Sequence, residues 1–369
     1  MTSKQVVFRV DASLDMGTGH VMRCLTLANA LREKGYECHF ICREHEGNLV
    51  DFVLGQGFHA HPLACSPTTA SNGWEYEGEE LAHAAWLGAS QREDAGACQK
   101  VLEKIKPQWL VVDHYALDCQ WEQALKPYYE RLMVIDDLAD RSHQCELLLD
   151  QTFGRQVEDY APWVPAGCKM LCGAHYALLR PEFAEWRSYS LERRQIPQLK
   201  HILVTMGGVD KDNVTGSILD ALDRMNLPAG CRITVVMGAT APWLDTVCQQ
   251  AKTISHPTNV LVGVNDMARL MADSDLAIGA AGATSWERCC LGLPTIMVVL
   301  AENQKRAASE LVKAGAVTVF TLETGALISF ERVFSELANE PDRLARMGKH
   351  ACIVADGKGV HRVADLLSN

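Results

Sequence analysis

Phe8-Arg9-Val10-Asp11-Ala12-Ser13-Leu14-Asp15-Met16-Gly17-Thr18-Gly19-His20 is the stretch from which the rest of the chain is read. An apolar strand, Val6 to Val10, enters a loop carrying Gly17 and Gly19. A helical pattern follows at once, with Val21, Cys24, Leu25, Ala28 and Leu31 at helical spacing. A glycine-rich strand-to-helix turn lets backbone approach a ligand and presents unpaired N–H groups with positive potential. His20 stands at that helix start. The helix end disfavours a second positive charge, so a neutral imidazole able to accept a proton as a general base is expected there. A capping or solvated histidine is the plainer alternative.

Composition narrows the class. The 369 residues suit two domains of ordinary size, and 48% apolar content supports large cores. No apolar run approaches the roughly 18 residues of a membrane span. The opening Met1-Thr2-Ser3-Lys4-Gln5 leads into a strand without an apolar signal region, and a cytoplasmic protein is expected. The fourteen cysteines are scattered and often sit in apolar segments, as Cys24, Cys38, Cys248 and Cys290 do, which fits reduced thiols. Cys168 and Cys172 are the nearest approach to a metal pair, with no second pair to complete zinc coordination. A net charge of −11 without a basic stripe argues against nucleic acid as partner.

Strand-like and helix-like segments alternate, the pattern of open parallel α/β sheets. Strands are expected at Val6–Val10, Glu37–Cys42, Trp109–Asp113, Arg131–Ile135 and Leu147–Leu149, then at His201–Met206, Cys231–Met237, Val260–Val262, Leu276–Ile278 and Thr295–Val299. Polar residues 65–78 read as an excursion beside the first sheet. The charged stretch from Glu185 to Lys200 reads as a linker. The expected division is a Rossmann-like domain over 1–185, a linker over 186–200 and a second Rossmann-like domain over 201–369, its last helix crossing back to the first.

Several clusters carry chemistry. Gly207-Gly208 follows the first strand of the second half, where open α/β sheets bind ligands, although a structural turn explains it equally well. In Gly279-Ala280-Ala281-Gly282-Ala283-Thr284-Ser285-Trp286-Glu287 small side chains would let a diphosphate reach a helix N-terminus. The Glu287 carboxylate could accept both ribose hydroxyls, or it could simply favour the helix dipole. Asn303 is a sugar contact or an ordinary N-cap. Asp113-His114-Tyr115 and Asp136-Asp137 end apolar strands and are candidate site walls; the paired aspartates lack a third oxygen ligand for a metal. Gly17-Thr18-Gly19 also begins a dinucleotide fingerprint, with Glu44 as a conceivable ribose acid, but Met22 occupies its third glycine position. Neither a serine elbow nor a kinase-like lysine motif appears.

Taken together, Phe8 to Cys24, Val112-Asp113-His114-Tyr115, the run Cys172 to Phe183 with Arg180, Met206-Gly207-Gly208-Val209-Asp210 and Asn303-Gln304 resemble the UDP-2,4-diacetamido-2,4,6-trideoxy-β-L-altropyranose hydrolases of pseudaminic acid biosynthesis. The second half, from Val264-Asn265-Asp266-Met267-Ala268 through Gly282, Glu287 and Gly292-Leu293-Pro294, also resembles the N-acetylglucosaminyltransferase that forms lipid II. The resemblance implies a GT-B fold of two Rossmann-like domains with a nucleotide sugar in the cleft. It implies no metal or other cofactor; no apolar or basic patch between Arg43 and Gln91 points to a membrane, and no obligatory protein partner is evident. Residue by residue it implies His20 as proton acceptor, Tyr115 and Asn303 at the sugar, Glu287 at the ribose and Val264 at the uracil. Gly17, Gly19, Gly208, Gly282 and Ser285 would lie around the diphosphate. The expected activity is hydrolysis of the UDP-sugar by water attack at C1. A glycosyltransferase of the same fold and a non-enzymatic nucleotide-sugar-binding module are the alternatives.

Overall fold

The computed structural model describes residues 4–65, 81–321 and 326–369. The excursion expected over 65–78 falls, apart from Cys65, outside the described residues. The chain divides into two compact units, Met1–Leu178 with Gly359–Asn369, and Leu179–Lys358.

The first unit holds a seven-stranded sheet of order β3-β2-β1-β4-β5-β6-β7. Its strands are β1 (Lys4–Val10), β2 (Tyr36–Arg43), β3 (His59–Leu63), β4 (Trp109–Asp113), β5 (Arg131–Ile135), β6 (Leu147–Asp150) and β7 (Lys169–Cys172). Every pairing is parallel. Central parallel strands are covered on both faces, which is why β4, β5 and β6 are largely apolar. Alternation sends Val6, Phe8 and Val10 to one core with Leu27, Leu31 and Phe40. Val7 faces the opposite core with Leu102, Leu110 and Trp121.

Arg9 shares that second face and is fully buried. It donates Nη1–H to Asp11 at 2.6 Å, and Nε–H and Nη2–H to Asp94 at 3.1 and 2.6 Å. Arg43 also donates to Asp94, at 2.6 Å, so opposite charges tie β1 and β2 to the helix Gln91–Ile105.

The second unit repeats the design with six strands in the order β10-β9-β8-β11-β12-β13. These are β8 (His201–Thr205), β9 (Arg232–Met237), β10 (Thr258–Val262), β11 (Leu276–Ala280), β12 (Thr295–Val299) and β13 (Val317–Thr321). Both sheets are doubly wound, and strand order reverses at β1/β4 and at β8/β11, the crevices where such sheets take ligands.

The division of the chain differs from expectation at the linker. Residues 186–200 are no free linker. A helix, Pro181–Arg193, belongs to the second unit, and its charges close backbone ends there. Arg187 donates to the carbonyls of Cys352 and Ala355, and Arg194 to those of Ser274 and Met271. Arginines that cap carbonyls read in sequence like solvated linker charge. The terminal helix, Gly359–Ser368, belongs to the first unit. There Val360, Val363, Ala364 and Leu367 complete the core under β1, and Trp109 and Tyr36 donate to the Leu367 carbonyl.

The seat of that helix has no room at its first residue. A Cβ on Gly359 would stand 2.3 Å from the Ala177 carbonyl oxygen. Gly359→Ala is therefore expected to destabilise the first unit by about 1–3 kcal/mol, the usual cost of overpacking. Urea unfolding followed by amide exchange in β1 and β4 checks this, and wild-type protection would contradict it.

Candidate active site

The loop after β1 closes on itself. Gly17 adopts a φ of +75°, and its N–H donates to the Ser13 carbonyl at 2.8 Å. Space around the missing Cβ of Gly19 is open. The helix Gly19–Glu33 starts there and brings His20 over the carboxyl end of β4. His20 donates Nδ1–H to Asp113 Oδ1 at 2.7 Å. Because a carboxylate only accepts, that bond fixes the tautomer and leaves the lone pair on Nε2.

Asp113 is completely buried and is clamped a second time. Arg23, one helical turn after His20, donates Nε–H to Oδ2 at 2.6 Å and Nη2–H to Oδ1 at 2.7 Å. Burial alone would raise the Asp113 carboxyl; Arg23 and His20 outweigh it and hold the group well below the usual carboxylate range. Arg23 also reaches Asp137 Oδ2 at 2.7 Å, and the Tyr115 hydroxyl donates to the same oxygen at 2.6 Å. Tyr115 meets the His20 ring edge-on, with centroids 4.8 Å apart. Trp86 stacks on it at 5.9 Å, and His83 lies tilted beside it at 5.4 Å. The structure thus brings Gly17, Gly19, His20 and Tyr115 together at the β1/β4 reversal.

Sequence reasoning missed Arg23, Trp86 and His83 here. The spacing of three between His20 and Arg23 was the available signal for the first. The paired Asp136 and Asp137 do not suit a metal, because their charge is already met. Asp136 bonds Arg141 at 2.8 Å and accepts from Tyr160, while Asp137 serves Arg23 and Tyr115. Cys168 has Cys145 as its neighbour in space, Sγ to Sγ 3.6 Å.

In the second unit the remaining candidates lie along the carboxyl edge of the sheet. Gly208 is exposed after β8, and Gly238 packs on it so closely that a Cβ there would stand 2.1 Å from the Gly208 oxygen. The helix that follows, Val214–Asp223, offers no free anion site at its start. Asp210 already accepts from the N–H groups of Val214 and Thr215, and Asn213 from Gly216. Val264 lies in the turn after β10, partly exposed. Asn303 is exposed in the short helix Glu302–Gln304, whose N-cap is Ala301, so the alternative reading of it as the N-cap does not hold.

Gly282 leads into the helix Thr284–Cys290, which has no side-chain cap. Ser285 departs from expectation: its hydroxyl is buried and accepts from Arg288 at 3.1 Å, so it faces inward. Arg288 is itself buried and fits only because residue 279 is glycine, where a Cβ would lie 2.0 Å from its Nη1. Glu287 is partly buried beside it. Burial pushes its carboxyl up to about 7, with Arg180 and Arg288 offsetting part of the rise.

Residues 201–366 match the model of the glycosyltransferase family 28 C-terminal domain. The crystal structure of Acinetobacter baumannii MurG superposes on 99% of this chain and 99% of its own, with a TM-score of 0.70 at 16% identity. The chain has the GT-B fold. An uncharacterized protein of Methanocaldococcus jannaschii is 22% identical over 84% of this GT-B chain and 58% of its own length, so the chain spans little more than half of that relative. The UDP-2,4-diacetamido-2,4,6-trideoxy-β-L-altropyranose hydrolase of Campylobacter jejuni is 24% identical over 84% of this chain and 97% of its own. Among the described residues no helix is long and apolar enough to cross a membrane.

Glu287 sets a pH dependence. Its folded-state value of about 7 exceeds the ordinary 4.5, so the folded chain binds more protons between the two. Stability should fall as pH rises through that window, by on the order of 1–3 kcal/mol. Glu287→Gln is expected to flatten the slope in urea unfolding across that range. A slope identical to wild type would contradict the burial argument.

Proposed function

We propose that this chain is a nucleotide-sugar hydrolase that cleaves UDP-2,4-diacetamido-2,4,6-trideoxy-β-L-altropyranose to UDP and the free sugar, a cytoplasmic step of pseudaminic acid biosynthesis. The observation that carries the reading is the His20–Asp113 pair. An imidazole whose Nδ1–H is held by a buried carboxylate presents Nε2 to take a proton, and the same carboxylate stabilises the imidazolium that results.

In this reading Nε2 removes a proton from water as its oxygen attacks C1. The bond between C1 and the diphosphate oxygen breaks, and UDP leaves from the opposite face, so configuration inverts. Tyr115, with Trp86 and His83 beside it, lines the sugar. Amides at Gly282 and the following helix start receive the diphosphate charge, Glu287 the ribose hydroxyls and Val264 the uracil. Attack at phosphorus would call for a cation cluster, and the nearest carboxylate pair, Asp136 and Asp137, is committed to arginines and tyrosines.

Transfer of the sugar to a hydroxyl acceptor is the second reading, favoured by the family 28 match over residues 201–366. The products separate the two. Incubated with the UDP-sugar and no acceptor in H₂¹⁸O, the protein should yield free sugar labelled at C1 and unlabelled UDP by mass spectrometry. Label in UDP would overturn attack at carbon, and turnover only on adding an acceptor would establish transfer. His20→Asn should lower kcat by roughly 10²–10⁴-fold with UDP affinity nearly unchanged. Near-normal turnover by that variant would remove His20 from the mechanism.

A further inference from the structure

At the β3 edge of the same sheet, β2 and β3 present a second constellation. Alternation places Glu37 and His39 on one face of β2, and His59 and His61 on one face of β3. The two strands pair in parallel with His39 opposite His59 and Ile41 opposite His61, so four side chains of ligand type form a staggered row across the pair. Glu37 Oε1 lies 3.1 Å from His59 Nε2 and 3.8 Å from His39 Nε2, and one ligand atom from each of these three residues lies within 4.8 Å of the others.

We propose that Glu37, His39 and His59 bind a divalent transition-metal ion of the zinc class. Nitrogen and oxygen ligands about 2.1 Å from a tetrahedral ion stand roughly 3.4 Å apart, so the observed separations need only a small closure. The group free to make it is His59, whose side chain is 61% exposed.

The surroundings already orient the ligands. His39 Nδ1 lies 3.2 Å from His61 Nε2, the outer hydrogen bond that fixes a ligating imidazole with its other nitrogen toward the ion. Gln5 donates to Glu37 Oε2 at 2.7 Å and leaves Oε1 toward the histidines. Gln5 Oε1, 2.8 Å from His39 Nε2, is the contact the ion displaces. Two imidazoles and one carboxylate select zinc, nickel or copper over magnesium or calcium, which take all-oxygen sites. The fourth position faces solvent and takes water. Bound there, the ion staples β3, the edge strand of the sheet among the described residues, to β2.

Cobalt(II) chloride titrated into the purified full chain tests the assignment without reference to catalysis. One equivalent should bind, with the d–d absorption of a nitrogen and oxygen site and no thiolate charge-transfer band. Zinc chloride should compete for it and raise the unfolding temperature of the wild type. His59→Ala and Glu37→Gln should each weaken binding by at least ~10-fold, and His61→Ala by about 10-fold through loss of the orienting bond. Absence of a saturable equivalent overturns the proposal. So does a thiolate band, which would put the ion on cysteines, or affinity unchanged in both ligand variants.

Discussion

Asp113 holds a negative charge at the carboxyl end of β4 with no surface exposed to water, and much of the first unit is arranged around meeting that charge. An isolated carboxylate in such a place would neutralise itself by taking a proton. It does not, because Arg23 grips both oxygens and His20 shares one of them. Both donors lie on the first turns of one helix, so the loop after β1 must deliver that helix at one height and one rotation. Gly17, with its positive φ, sets the delivery. A buried pair of this kind adds little net stability, and losing one partner typically costs about 3–5 kcal/mol. Its use is to specify: the imidazole can occupy one orientation and one tautomer.

The two units solve the same problem at their strand reversals with opposite polarity. In the first, a buried carboxylate is matched by cations. In the second, the Arg288 guanidinium is buried beneath the Gly279–Gly282 turn, and burial pulls it down to about 10. Its named partners are the Ala280 carbonyl and the Ser285 hydroxyl, while Nε and Nη1 have no hydrogen-bond partner. Positive potential therefore lies under the small-residue turn, where a side chain at residue 279 would block it. The raised carboxyl of Glu287 next door belongs to the same low-dielectric pocket.

How much of this the sequence discloses depends on which force fixes each residue. Strands buried on both faces, such as Trp109–Asp113 and Arg131–Ile135, declare themselves through composition, and their expected and observed limits coincide. β3 does not, because His59-Ala60-His61-Pro62-Leu63 is an edge strand with one buried residue and no apolar run to notice. His20 was legible from its turn, but the partners that define its tautomer come from β4 and from one helical turn on, through contacts that local spacing only hints at. Ser285 misled in the same way, its hydroxyl being taken up by Arg288. The arginines of 186–200 looked solvated because carbonyl partners from Met271 to Ala355 leave no local trace.

The placement of Gly359–Ser368 in the first unit also bears on the order in which the protein matures on the ribosome. The second unit, Leu179–Lys358, is in effect an insertion in the first. Its residues emerge as one continuous run and can collapse as soon as they are out. The earlier unit, although it is translated first, waits with the apolar face of its opening helix uncovered until Gly359–Ser368 appears. At 5–20 residues per second the delay between Leu178 and Gly359 is roughly ten to forty seconds. Over that interval the core that Val360, Val363, Ala364 and Leu367 complete stays open, and the unit that carries His20 is the last to be finished.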